Sequence, residues 1–526
     1  MTNSLATTLL KPAEHASLGR LDAMQVGSIR QIENIVSQAD GEWAMMGGRS
    51  GLQEDFGAFR FQLAYAGLAL ALAHYHRLPN APGVFKPIFE KLIHKMQHPS
   101  VWVYWHYVSQ GGAPNGNAHL YGQLPARWDP IEKDNIMYSA YLMLLTRLYH
   151  YLFDDDRYTS KGSLTLSINP FTFGENMVFE YDEESLSETI YWQMVQNGYL
   201  GVACEPNCIF QICNQPSILA FRCEDFIKGT SRSDEVTEGY LQAWEEFGLV
   251  GENGHSIVNI AHDSRTPIPN ALPWLWSDAW LAALMHAWNS EHVRKVYPKQ
   301  LDEFLTPGPD GTCAIRLWEP IDLRGSMETI DTADFGWAAA AASELGDEST
   351  LSGLLAHADR YMKPEWRDGG LYYPRCDLRY DEDGILRLVE PITTNALLPY
   401  ARLNVTNGLR EFYNRPWERD HFEEPMITEV SSNVDVLEAR YDAEKRNLYF
   451  TLAARADRAG EAELRIENVD GPQHEAWKLS LDGVEIASAS DGQVAVSDGF
   501  GILRDEDALV LSLPRQDVGS YSLSRA

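Results

Sequence analysis

The chain is short of basic residues. Forty-three Lys and Arg stand against 75 Asp and Glu, a formal charge of −32 over 526 residues. Such a surface repels polyanions, which excludes nucleic acid and anionic membrane as partners and favours solubility. Cysteine is sparse too. Six in the whole chain cannot form a disulfide scaffold, so reduced thiols in a cytoplasmic protein are expected. No run approaches the ~20 apolar residues of a membrane span. GLALALAHYH at 67–76 comes nearest, and it is short and interrupted. The start, MTNSLATTLLKPAEHASLGR, lacks a basic segment followed by an apolar core, so no signal peptide is expected. HExxH, paired CxxC and P-loop motifs are missing. His106 and His119 are lone histidines, more often structural than metal ligands, and neither metal nor cofactor is expected.

What the chain has is apolar and aromatic mass. Apolar residues make up 44% and aromatics 11%, with 15 Trp and 24 Tyr, enough for a large core and an aromatic-lined cavity. Helical periodicity marks twelve segments: 24–38, 57–76, 85–97, 130–153, 186–198, 207–228, 235–248, 275–289, 291–305, 334–345, 348–360 and 393–413. Twelve helices without a strong repeat predict a mainly α fold, an (α/α)6 barrel or toroid over 1–415. Its inner helices are apolar, and its long loops crowd one end. Asp129-Pro130-Ile131-Glu132 predicts a capped helix start, and Pro216 an end or kink. From 416 to 526 the pattern switches to alternation broken by Asp-Gly turns, which predicts a β-rich, sandwich-like C-terminal domain.

The most distinctive segment is Cys204-Glu-Pro-Asn-Cys-Ile-Phe-Gln-Ile-Cys213-Asn214. A spacing of nine between Cys204 and Cys213 suits neither a zinc knuckle nor a CxxC redox pair, but would let two thiols reach one pocket. Glu205 is a candidate acid/base or a helix cap. Met137, Tyr141, Leu144 and Leu145 share one helix face, so Tyr141 is either core or site. Cys208 reads as core. Glu328, Asp331 and Asp334 form an acidic cluster best explained as helix capping.

These residues resemble a known family. DPIEKDNIMY (129–138) and CEPNCIFQICN (204–214) are similar to motifs of the linalool dehydratase/isomerase family, and weaker likenesses follow at 276–289, 327–347 and 395–404. The resemblance spans roughly 25–415. It implies an (α/α)6 barrel, a homo-oligomer, and cofactor-free dehydration and isomerisation of a hydrophobic alcohol. It also implies Cys204 and Cys213 as catalytic thiols, Met137 and Phe210 as cavity lining, and Trp276 where an aromatic hydroxyl is expected. Two departures stand out. Tyr141 replaces the family's histidine, and the family's N-terminal aspartate and tyrosine have no match, leaving Asp40 or Asp55 as substitutes.

Dehydrating an allylic or tertiary alcohol takes a proton donor for the leaving oxygen and a base for a C–H. The cation between them needs a dry aromatic site. A buried neutral thiol can donate a proton, whereas tyrosine is a poor base. The expected function is a cofactor-independent lyase or isomerase of a terpenoid-like small molecule in natural-product biosynthesis, with Cys204, Cys213 and Tyr141 catalytic and Met137, Phe210, Trp276 and Glu205 contacting substrate. The rivals are a terpenoid cyclase or pericyclase-like enzyme in the same cavity, a carbohydrate-active epimerase or hydrolase using paired carboxylates, and a non-catalytic binder of hydrophobic ligands.

Overall fold

The computed structural model describes residues 19–48, 50–112, 117–170, 174–269, 274–316, 321–323, 326–331, 333–373, 379–380, 386–469, 476–490 and 493–525. A helical region is followed by an antiparallel β region. Twelve helices carry the first: α1 (Ala23–Val36), α2 (Phe59–Arg77), α3 (Pro82–Met96), α4 (Ile136–Phe153), α5 (Glu183–Gln196), α6 (Gln211–Lys228), α7 (Arg232–Trp244), α8 (Trp276–Met285), α9 (Ser290–Asp302), α10 (Asp334–Leu345), α11 (Glu348–Tyr361) and α12 (Leu398–Leu403). Short helices at Pro99–Trp102, Trp105–Val108 and Gly408–Asn414 add to them.

Composition sorts these helices into two rings. Every residue of α8 and α10 is buried, as are all but two of α2 and all but two of α4. A helix apolar on every side must be enclosed by others. By contrast, α7, α9 and α11 each bury only four residues, on one stripe. The enclosed helices close a circle: α2 packs on α4, α4 on α6, α6 on α8, α8 on α10, α10 on α12, and α12 on α2. Outside it, α3, α5, α7, α9 and α11 lean on α2, α4, α6, α8 and α10, while α1 leans on α12.

Each of the twelve periodic segments contains a helix, and three details differ from expectation. The fourth helix starts at Ile136, not at Pro130. Asp134 and Asn135 both have left-handed backbone (φ 59° and 57°), which breaks the helix there. Asp129 still accepts the Ile131 and Glu132 N–H groups, but in the turn before. Pro216 neither ends nor interrupts α6. It sits in the second turn, where it removes one backbone hydrogen bond, and the helix runs on to Lys228. The last segment, 393–413, is broken into a π turn at Thr393–Leu397, α12, and Gly408–Asn414. Among the described residues, no helix is long and apolar enough to cross a membrane.

The C-terminal strands form two antiparallel sheets. One orders Met426–Val430, Ala462–Glu467, Ala508–Leu513 and Gly501–Asp505; the other orders Val434–Asp442, Asn447–Ala454, Gly519–Arg525, Trp477–Leu481, Val484–Ser490 and Gln493–Val496. Leu509, Leu511 and Leu513 show the alternate burial that the sequence pattern demands.

The two regions are stitched together by Asn80, in the α2–α3 turn and 1% exposed. Its amide donates to Glu424 Oε2 at 2.8 Å and accepts from the Tyr441 N–H at 2.8 Å. Its backbone exchanges bonds with Ala439 and Ile427. Arg30 of α1 adds an ion pair to Asp435 at 2.7 Å. Asn80→Ala leaves the Tyr441 N–H without its side-chain acceptor and takes one of two partners from Glu424 Oε2, which keeps His421. It should cost about 2–3 kcal/mol in urea unfolding. A midpoint unchanged from wild type would show that the stitch contributes nothing.

Candidate active site

Cys204 and Cys213 are brought together by backbone hydrogen bonding around them. Glu205-Pro206-Asn207-Cys208 makes a turn closed by Cys208 N–H to Glu205 C=O at 2.9 Å, with Pro206 second and Asn207 third at φ 71°. This is the residue pattern of a type II turn. Cys204 N–H donates to Cys208 C=O at 2.8 Å, so the segment folds back on itself. Strand β1 (Cys208–Phe210) follows, paired with β2 (Ile257–Ala261), which pairs with β3 (Thr266–Pro269). It leads directly into α6, placing Cys213 in that helix's first turn. One residue on, the Asn214 side chain accepts the Val202 N–H at 2.8 Å and donates to the Val202 and Phe210 carbonyls at 3.0 and 2.8 Å. That clasp sets the start of the segment beside its end.

The same segment caps α4. The N–H groups of Asn135 and Ile136 donate to the carbonyls of Cys204 and Ala203, both at 3.1 Å. Two of the backbone donors that open a helix are thereby satisfied from a distant part of the chain. Met137 and Tyr141 thus descend from the point where Cys204 is held.

The Cys204 and Cys213 thiols are near enough to interact electrostatically, and burial pushes the Cys204 thiol well above its ordinary range, with Cys213 adding to the shift. The side chains are 1% and 5% exposed. Tyr141 is fully buried, and its OH lies 3.0 Å from Tyr65 OH, which accepts the Trp280 indole N–H at 2.6 Å. Burial raises the Tyr141 phenol far above its usual value, and Tyr65, Cys213 and Cys204 raise it further. Tyr141 is therefore electrostatically within reach of both thiols. Aromatic rings pack around this chain of hydrogen bonds. Phe61 meets Tyr141 edge-on at 5.5 Å, Trp280 stacks on Trp337 at 4.6 Å, and Trp276 lies 6.3 Å from Trp280 and 4.9 Å from Phe56. Trp276 donates its backbone N–H to Asp334 at 2.8 Å. Its indole N–H is buried with no partner among the described residues.

Glu205 is partly buried, and its Oε2 is wholly enclosed with no hydrogen-bond partner among the described residues. Burial pushes its carboxyl up to about 7, against the pull of Arg60. The Arg60 guanidinium is 1% exposed, makes a 3.4 Å contact to Met137 Sδ, and lies 3.9 Å over the Tyr104 ring and 4.3 Å from that of Phe61. Phe210 is buried and faces Asn259 across the β1–β2 pair.

Asp40 does not take part. It is 65% exposed and pairs with His94 at 2.9 Å, because its loop lies on the outer surface by α3. Asp55 accepts the Ser50 and Gly57 N–H groups and so shapes the loop that carries Phe56. That loop is anchored by Gln62, whose amide donates to the carbonyls of Met46 and Gly57. His119 is a surface partner of Asp263, and His106 stacks on Trp128 at 3.8 Å. Among the described residues, no group of three or more His, Cys, Asp or Glu could hold a metal. The side chains of Glu328 and Asp331 lie outside the described residues. A cleft of about 450 Å3 borders the segment on its outer side, lined by Ala203, Pro206, Asn207, Asp134 and His262. Neither thiol lines it.

Arg60, Tyr65 and Trp280 join the cluster without having been singled out by sequence. For Arg60 a signal existed, since it is the one charge between Ala58 and Ala73. Tyr65 and Trp280 look like ordinary core residues.

The model of the linalool dehydratase/isomerase family matches residues 60–379. Three solved structures are similar to the chain. One is a novel alpha-amylase from Clostridium perfringens, at 11% identity and TM-score 0.40, covering 74% of this chain and 99% of that one. Another is a possible GH105 family member from Salmonella enterica, at 12% and 0.39, covering 78% and 100%. The third is a sugar epimerase from a ruminal bacterium, at 12% and 0.32, covering 75% and 100%.

The Trp280–Tyr65–Tyr141 chain gives an ordering of stabilities. Tyr65→Phe strips a partner from both neighbours and should cost about 2–3 kcal/mol. Tyr141→Phe removes one bond and should cost about 1 kcal/mol. Equal denaturation midpoints for the two variants would contradict this arrangement.

Proposed function

Since the chain belongs to the linalool dehydratase/isomerase family, we propose that it is a cofactor-independent lyase or isomerase of a hydrophobic, terpenoid-like alcohol, with the double ring of helices forming an (α/α)6 barrel around the site. The observation that carries this reading is the buried Glu205 carboxyl, its Oε2 enclosed and unpartnered among the described residues and its pKa raised to about 7, next to the Cys204 thiol that burial keeps neutral. A group with that pKa can give and take a proton at neutral pH. It supplies what Tyr141, raised by burial, cannot supply in place of histidine.

In the proposed cycle Glu205 protonates the leaving hydroxyl. The C–O bond breaks, water departs, and Glu205 is left as carboxylate. The allylic cation rests against the rings of Tyr141, Phe61, Trp276 and Trp280, where π faces stabilise positive charge and water is scarce. A neighbouring C–H bond then breaks, its electron pair forms the alkene, and its proton returns to Glu205, directly or through the Cys204 and Cys213 thiols. Water adding back at the other end of the allyl system gives isomerisation. Attack by an internal double bond gives a ring, so the cyclase reading differs only in how the cation is quenched. Met137 and Phe210 shape the cavity. In this reading the paired thiols act as neutral donors and relays, not as nucleophiles.

With prenyl-type tertiary and allylic alcohols as substrates, Cys204→Ala, Cys213→Ala and Glu205→Gln should each lower turnover by about 10²–10⁴-fold with circular dichroism unchanged. Retained turnover in all three, with ligand still bound, would establish the binder reading instead.

The pH profile tests Glu205 separately. The groups facing it are Arg60 of α2, Tyr104, and Cys204 and Cys208 of its own segment. A raised carboxyl keeps its proton below about 7 and loses it above. The resting acid form, and kcat/KM with it, should therefore fall as pH rises through 7. A rate that climbs across that range would assign the resting enzyme a base instead.

A further inference from the structure

Arg60 is a buried cation with no counter-ion among the described residues. Its guanidinium is 1% exposed, and no carboxylate among the described residues lies within ion-pair distance of it. It donates to the Gln53 carbonyl and touches Met137 Sδ at 3.4 Å, while its Nε has no partner. Its guanidinium carbon lies 4.3 Å from the Phe61 ring and 3.9 Å from the Tyr104 ring, so aromatic surface packs against the charge. An unpaired charge in the interior is strongly unfavourable. Across from it stands Glu205, close enough to feel its field but not paired with it, with Oε2 equally unpartnered. Two buried polar atoms without a partner among the described residues, Arg60 Nε and Glu205 Oε2, therefore lie in the neighbourhood of Cys204, one on a permanently charged group and one on a group able to donate a proton.

A neutral hydrocarbon alcohol leaves the cation unpaired. A carboxylate fits a guanidinium edge through two parallel N–H···O bonds. Building on the reading above, we propose that the substrate is a hydrophobic hydroxy acid, whose carboxylate is anchored by Arg60 and whose hydroxyl faces Glu205 and the thiols. The division of labour follows from charge. Arg60 cannot give up its proton, so it anchors and orients, while Glu205 exchanges protons with the hydroxyl. The apolar tail lies along Phe61, Tyr141, Trp276 and Phe210.

Binding separates this inference from the reading on which it rests. Geranic acid and geraniol share a skeleton and differ at the head group, and both are titrated into the full chain at pH 6.5 by calorimetry. Geranic acid should bind at least about 10-fold more tightly, a difference of ~1.4 kcal/mol. Arg60→Gln should erase that preference, and Arg60→Lys should restore part of it. The wild-type ratio decides the matter even if Arg60→Gln fails to fold. Equal or weaker binding of the acid overturns the carboxylate anchor. If the alcohol is nevertheless bound and turned over, the lyase or isomerase reading stands without it. If neither skeleton binds, both proposals fall.

Discussion

Everything at the candidate site depends on how two residues, Ala203 and Cys204, are held. Their carbonyls accept the opening N–H groups of α4, and the Asn214 amide grips Val202 just before them. One short stretch of extended chain is thus fixed to the starts of two neighbouring helices of the inner ring. Cys204 cannot move without uncapping α4 or breaking the clasp on α6. The nearness of the two thiols is a product of that fixing, since buried thiols attract each other only weakly. Precision here comes from backbone and amide hydrogen bonds, which are directional.

Burial then sets the charge state. Cys204, Tyr141, Tyr65 and Tyr104 are all driven toward their neutral forms by the loss of water. The exceptions are Arg60, which cannot discharge, and Glu205, balanced near neutrality between burial and the pull of Arg60. In a medium of low polarity a few charges govern the local field, because nothing nearby screens them. The aromatic walls add no competing charge. The site is therefore a largely neutral interior with one acid–base group and one fixed cation.

The double ring could be read from sequence because enclosure leaves a compositional trace. LALALA in α2 and AAAAA in α10 belong to helices with no wet face, and SEHVRKVYPKQLD belongs to one with a single dry stripe. The Cys204–Asn214 segment stood out for its unusual residue mix. What sequence could not supply was contact between distant parts. The start of α4 was misplaced because its cap comes from residues 203–204, not from Asp129. Asp40 is an acid in the right stretch of sequence, but its 65% exposure and its pairing with His94 hold it on the surface, which composition does not reveal. Tyr65 and Trp280 were invisible because a core hydroxyl or indole gains significance only from what it touches.

The stitching at Asn80 bears on how the chain reaches this state. Asn80 bonds to residues 424, 427, 439 and 441, and Leu21 N–H donates to Leu437 C=O at 2.8 Å. These pairings join the first helices to strands more than 300 residues later. Closing such long loops is slow, and it comes after local helix formation. On the ribosome the helical rings emerge first, with Asn80, Arg30 and Leu21 still lacking their partners. The nascent rings must therefore wait with an open flank until the last strands are synthesised, a window in which the chain is exposed to misassembly.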